Sequence, residues 1–155
     1  MADEVVFASE GATAVQDAFT HTEPELLAIL DELRSREPIF HTPRFARTLD
    51  EVEQSVAPEF WEVGASGRRY SRAFILHMLA TDPARYVDAE AAGWSASGFA
   101  VRRLGPATYL LTYLLDQAGR RTRRATIWEK AAEGWRILYH QGTPILLEGD
   151  DTLSA

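Results

Sequence analysis

The sequence has no cysteine and a single lysine, Lys130, set against many arginines. Lack of cysteine excludes disulfides, thiolate nucleophiles, iron–sulfur clusters and Cys-ligated zinc together. A formal net charge of -7 argues against a nucleic acid held through its phosphates. No apolar run approaches the ~20 residues that span a bilayer, so no membrane partner is expected. The start, Met-Ala-Asp-Glu-Val-Val-Phe, lacks the basic opening and apolar core of a secretory signal, which points to the cytoplasm. Also missing are a glycine-rich phosphate loop, a dinucleotide fingerprint and a nucleophile elbow. His21, His41, His77 and His140 show no ligand spacing, so no metal site is expected.

What remains is an ordinary globular mixture, 155 residues with 46% hydrophobic and 25% charged, enough for one domain with a sizeable core. Residues 1–20 show no sustained period and read as a flexible extension, with a short helix around Ala12–Phe19 at most. Residues 21–146 read as the domain, and 147–155 as an acidic tail carrying Glu148, Asp150 and Asp151.

The first half of the domain reads as helical. Thr22-Glu23-Pro24-Glu25 has the form of a capping box, followed by a Leu26, Leu30, Leu33 stripe that Pro38 stops. A second box, Thr48-Leu49-Asp50-Glu51, opens a helix whose Leu49, Val52 and Val56 share a face up to Pro58. Phe60–Val63 is a short strand before the turn Gly64-Ala65-Ser66-Gly67. Ser71 caps a third helix that buries Phe74, Ile75, Met78 and Leu79 before Asp82-Pro83. The second half reads as strand: Phe99–Arg103, Thr108–Asp116, Arg121–Glu129 and Trp135–Gln141, joined by tight turns, with Trp94 marking an earlier strand start. Helices first and hairpins afterwards give an α+β class with an antiparallel meander. Strand Thr108–Asp116 is apolar on both faces: Tyr109, Leu111, Tyr113 and Leu115 on one, Leu110 and Leu114 on the other. Helices can cover one face; a second subunit would cover the other, which predicts a homodimer through the sheet unless the chain covers that face itself.

This order resembles the nuclear transport factor 2-like superfamily, which includes ketosteroid isomerases and SnoaL-like polyketide cyclases. Two strings sharpen the resemblance, Phe60-Trp61-Glu62-Val63-Gly64-Ala65-Ser66-Gly67-Arg68-Arg69-Tyr70-Ser71 and the run from Arg124-Ala125-Thr126-Ile127-Trp128 to Gly134-Trp135-Arg136-Ile137-Leu138-Tyr139-His140-Gln141-Gly142-Thr143. Both are similar to stretches of the domain-of-unknown-function 4440 subfamily. The resemblance spans roughly Glu25 to Pro144 and implies a cone-shaped fold, with three N-terminal helices packed on a curved antiparallel sheet. It implies a family and not a reaction, because the fold hosts enzymes, binding proteins and assembly domains alike.

Glu62 stands among Phe60, Trp61 and Val63, where an aromatic setting disfavours its charged form and suits it to general acid–base work. Ketosteroid isomerases carry their general base on the corresponding strand, which by resemblance is Glu62. A structural Glu62, paired with an arginine or capping the Gly67–Tyr70 amides, is the alternative. The isomerase oxyanion hole is not matched, since Leu26 to Phe40 holds no tyrosine and the late strand offers Arg124, Thr126 and Trp128 where an acid would stand. Arginine and hydroxyl there suit an anionic or carbonyl-bearing ligand. His140 can act as acid, base or anchor, or as a structural residue at a strand end; strict alternation puts it on a face with Leu138 and Arg136, opposite Ile137 and Tyr139. Arg121 and Arg123 fall on the face opposite Arg124 and read as a solvated or dimer-forming set. Arg68, Arg69 and Arg72 sit where helix amides favour an anion.

The sequence therefore predicts a pocket for a small apolar or anionic ligand. Glu62, His140 and Arg124 are its expected catalytic residues, and Phe60, Tyr70, Thr126, Trp128 and Gln141 its expected lining. Proton transfer beside a carbonyl would make it an isomerase or cyclase without a cofactor. The rival expectation is a non-catalytic homodimerisation or protein-interaction domain, in which side chains fill the cone.

Overall fold

The computed structural model of the chain describes residues 20–41, 48–82 and 91–146. The extension expected before residue 20, its helix around Ala12–Phe19, Pro83 and the tail 147–155 lie outside those residues. A 3-10 turn, Pro24–Leu26, leads into helix α1, Leu27–Arg34. Helix α2, Leu49–Ser55, runs directly into strand β1, Val56–Val63, which pairs with the short β2, Arg69–Ser71. Helix α3, Arg72–Thr81, precedes four long strands: β3, Trp94–Gly105; β4, Thr108–Gln117; β5, Arg120–Ala131; and β6, Gly134–Pro144. The sheet order is β2-β1-β6-β5-β4-β3. Strands β3 to β6 form the expected antiparallel meander, but β1 lies parallel to β6, so the sheet is mixed.

Three helices ahead of the sheet are not what the described residues show: among them α1 and α2 precede the sheet, and α3 follows its first hairpin. Thr22 does not cap a helix. Its hydroxyl accepts from the Val101 amide at 3.0 Å, and Glu23, whose side chain makes no capping bond, stands at the N-cap. The Leu26 amide, which a cap side chain would have served, donates to the Glu23 carbonyl at 2.8 Å. The other two caps form as read: Thr48 accepts from Glu51 N–H and Ser71 from Phe74 N–H, each at 3.2 Å. Val56 is buried but belongs to β1 and not to the helix, and Leu49 and Phe74 stay exposed, so the helices themselves bury Val52, Ile75 and Leu79 of those stripes. Arg72 donates to the Glu53 and Val56 carbonyls, satisfying the end of α2, so it is committed to structure and not to an anion.

One face of the sheet carries the core. Leu26, Leu33, Val52, Phe60, Ile75 and Leu79 pack against Val101, Tyr109, Leu111, Tyr113, Leu115, Trp128, Trp135 and Ile137. Trp135 pins α1 to β6 by donating to Glu32 Oε2 at 2.6 Å. Strand β4 alternates as expected, its odd-numbered residues buried and Leu110, Thr112 and Leu114 half-buried on the outer face. Among the described residues no helix is long and apolar enough to cross a membrane.

Candidate ligand-binding site

The sheet register lines up two inward rows. Glu62 on β1 stands opposite His140 on β6, which stands opposite Thr126 on β5 and, beyond it, Leu111 on β4. In the adjacent row Gly142, Arg124 and Tyr113 face one another. His140 reaches this face through a bulge. Ile127 pairs with Tyr139 and Trp128 with Ile137, leaving Leu138 without a register partner on β5, so Ile137 and His140 both turn inward. That corrects the strict alternation, which put His140 with Leu138 and Arg136.

The segment after α1 lies over these rows. Its Glu37–Pro38 bond is cis, and Phe40 takes a left-handed backbone (φ 65°), an unfavourable conformation that the packing of its buried ring against Phe60 helps to hold. Glu37 is buried, and its carboxylate is saturated. Tyr113 Oη–H (2.8 Å) and the Ile39 amide (2.9 Å) donate to Oε2, while Thr126 Oγ1–H (2.7 Å) and Trp128 Nε1–H (3.3 Å) donate to Oε1. Burial pushes the Glu37 carboxyl up to about 7, against the pull of those four donors toward the ionised form. The same burial, with the Glu37 charge and hydrogen bond, raises the Tyr113 phenol well above its ordinary value.

Next to this cluster lies His140, whose Nδ1 is 2.8 Å from Thr126 Oγ1 and whose Nε2 is 3.5 Å from Arg124 Nη1. Burial first, then the charges of Arg124 and His41, push the imidazole down to about 3, so it is neutral at every ordinary pH. Arg124 spreads its guanidinium between Thr122 Oγ1 (Nε, 2.9 Å), Gln117 Oε1 (Nη2, 3.3 Å) and the His140 ring. Burial lowers its pKa, while Tyr113, Glu62 and Glu37 hold it up. The group lies across Gly142, where a Cβ would come within 3.0 Å of Nη1 and 3.2 Å of Cζ. A side chain at that position would require the guanidinium to shift by a few tenths of an ångström.

Arg124, His140, Glu62 and Gln117 bound a cavity of about 100 Å3 whose other walls are Pro38, Ile39, Phe40, His41, Ile75, Tyr113 and Leu115. That volume is well below the ~300 Å3 at which drug-sized pockets begin and suits a ligand no larger than benzene. Of the residues expected from sequence, Glu62, His140 and Arg124 meet here. Thr126 and Trp128 lie behind the wall, in the Glu37 cluster. Phe60 is in the core, edge-on to Phe40; Tyr70 stacks on Phe74. Gln141 is on the outer face, accepting from Tyr139 Oη–H at 2.5 Å and lining a separate cleft of about 710 Å3 with Leu110, Leu114, Arg121 and Arg123. Glu37 and Gly142 escaped the sequence reading. Glu-Pro at a helix end carries no sign that the carboxylate turns inward, and a glycine near a strand end reads as a turn.

No protein-family model matches the sequence, and neither does any curated protein. Solved structures of similar shape do exist. A nuclear transport factor 2-like protein from Cytophaga hutchinsonii superposes with a TM-score of 0.56 at 10% identity, covering 79% of this chain and 100% of that one. A protein of unknown function from the DUF3225 family of Pectobacterium atrosepticum gives 0.58 at 16% identity, covering 79% and 93%. A nuclear transport factor 2-like protein of unknown function in nutrient uptake from Rhodospirillum rubrum gives 0.52 at 16% identity, covering 78% and 98%. At these identities the likeness establishes the fold, which is nuclear transport factor 2-like, and not an activity.

Proposed function

We propose that the chain binds a small carbonyl or carboxylate compound in the inner cavity and moves a proton beside its carbonyl, as a cofactor-independent isomerase or cyclase. The observation behind this reading is the convergence of a guanidinium, a neutral imidazole and a carboxylate, those of Arg124, His140 and Glu62, on a cavity whose opposite wall is apolar. Arg124 would hold the oxygen that gains charge, since its position is fixed by Thr122, Gln117 and the open space over Gly142. Glu62 would be the base that meets the ligand directly. The strings similar to SnoaL-like and domain-of-unknown-function 4440 proteins contain Glu62, Arg124 and His140, which is the argument for kinship with those groups. A cavity of about 100 Å3 speaks for a ligand much smaller than a steroid or a polyketide.

Thermal shift with acetate, acetone and pyruvate on wild type, Glu62→Gln and Arg124→Gln, with exchange of the acetone and pyruvate methyl protons in D2O followed by NMR, tests the reading. A ligand at 100 times its dissociation constant adds ~2.7 kcal/mol, a shift of a few degrees for a chain of this size. The expected result is a shift with at least one probe that Arg124→Gln abolishes and Glu62→Gln retains while stopping proton exchange. A flat response to all three defeats the proposal.

A second reading has its own support. The outer face carries half-buried Leu110 and Leu114 and the edge-on pair Trp61 and Tyr139, beside a cleft of about 710 Å3. A homodimer through that face fits either function, and without an inner ligand the chain would be an assembly domain.

A further inference from the structure

A directional chain of hydrogen bonds joins the inner cavity to Glu37, which is not among its walls. Arginine has only donors, so the Arg124 Nη1 contact makes His140 Nε2 the acceptor and puts the ring proton on Nδ1. Nδ1–H then donates to Thr126 Oγ1, and the hydroxyl passes its own hydrogen to Glu37 Oε1. At the far end the Ile39 amide and the Trp128 indole cannot reverse, and they hold both carboxylate oxygens as acceptors. With Glu37 ionised every member is satisfied. With Glu37 protonated toward Thr126, the chain can reverse as far as His140, whose ring then carries its proton on Nε2 and gives up the Arg124 Nη1 contact, now donor against donor.

We infer that Glu37 is the proton acceptor coupled to the inner cavity, reached through Thr126 and His140, so that the cavity exchanges a proton with a carboxylate that a ligand never touches. Glu62 serves the carbon-bound proton beside the carbonyl, and the relay serves a proton on oxygen: the O–H bond of a hydroxyl or carboxylic acid ligand breaks and its proton joins His140 Nε2. The Nδ1 proton moves to Thr126 Oγ1, and the Thr126 proton moves to Glu37 Oε1. Glu37 ends neutral, His140 ends as the other neutral tautomer, and the electron pair stays on the ligand beside Arg124. No oxidant, reductant or co-reactant enters. The route suits an imidazole that burial, Arg124 and His41 keep from becoming a cation, because the ring never holds two protons. Burial leaves Glu37 able to take up a proton near neutral pH. Tyr113 is the other titratable group on the Glu37 carboxylate; Arg124, His41 and, across the β1–β6 register, Glu62 are those around His140.

The use of this relay rests on the cavity being a ligand seat, whereas the coupling itself exists without a ligand. It is therefore tested first on the free chain, by long-range 1H–15N spectra of the histidine rings from about pH 5 to about pH 9. His140 is expected as the Nδ1–H tautomer at the alkaline end, turning to Nε2–H as Glu37 takes its proton, without passing through imidazolium. Thr126→Val removes the link and is expected to leave the tautomer independent of pH. Thr126→Ser, which keeps the hydroxyl, retains the wild-type response. Should Thr126→Val not fold, Glu37→Gln gives the same reading, its tautomer no longer following pH. An unchanging tautomer in wild type, an imidazolium within this range, or a response that survives Thr126→Val or Glu37→Gln overturns the relay. A response lost in Glu62→Gln also overturns it, because Glu62 would then be the group sensed. If acetate, acetone and pyruvate all fail to bind while the tautomer follows Glu37, the relay stands and the ligand reading falls.

Discussion

Two buried groups pull the acid stability of this fold in opposite directions. The Glu37 carboxyl is raised from 4.5 to about 7, so across that range the native state holds a proton that the unfolded chain has lost, and stability falls as pH rises. His140 is lowered from 6.5 to about 3, so the unfolded chain takes up a proton that the native state refuses, and stability falls as pH drops through that range. Between 4.5 and 6.5 the two slopes oppose and largely cancel. Urea titrations should therefore show a nearly flat profile for wild type there and a profile rising with pH for Glu37→Gln. A steep wild-type slope would mean that one of the two groups is not held as described. Gly142 permits a second test at this scale. Gly142→Ala should push the guanidinium of Arg124 by a few tenths of an ångström, lengthening its 3.5 Å contact with His140 and altering the His140 ring shifts, while costing about 1 kcal/mol through local overpacking. Unchanged His140 shifts in the alanine variant would show that the arginine does not rest there.

At the scale of elements, most local rules held, the Thr22 capping box excepted. The caps at Thr48 and Ser71, the meander of β3 to β6 and the two-faced pattern of β4 all follow from spacing and turn chemistry. Tertiary pairing decided the rest. Pairing with β6 extends β1 back to Val56, through a region where Pro58 would suggest a break. The bulge at Leu138 reverses the alternation of β6, and no residue type announces it. A one-residue change of parity moves every later side chain to the other face, which is why His140 was legible as a candidate and its face was not. Deleting Leu138 should restore plain pairing, with Ile137 and His140 two residues apart and both still inward. The expected outcome is retained cooperative unfolding in urea; loss of cooperativity would show that the extra residue does more than set the parity. Likewise Glu32→Ala should cost roughly 1–2 kcal/mol by removing the Trp135 acceptor that ties α1 to β6.

For the whole molecule, the two faces of the sheet have separate tasks. The inner face holds the core, the Glu37 cluster and a small cavity; the outer face holds half-buried leucines, Arg121 and Arg123 beside a larger cleft. Light scattering is expected to give about twice the chain mass of 17.3 kDa, reduced to one chain by Leu114→Glu with little loss of stability. A wild-type monomer at micromolar concentration would leave the outer face uncovered and remove the homodimer. The central claim concerns the inner face, and the most direct measurement is a chemical-shift titration of the 15N-labelled chain with acetate. The account predicts saturable shifts centred on Arg124, His140, Gln117 and Tyr113, absent in Arg124→Gln, with Leu110 and Leu114 unmoved. Shifts confined to the outer face, or none at all alongside equal silence from acetone and pyruvate, would contradict it.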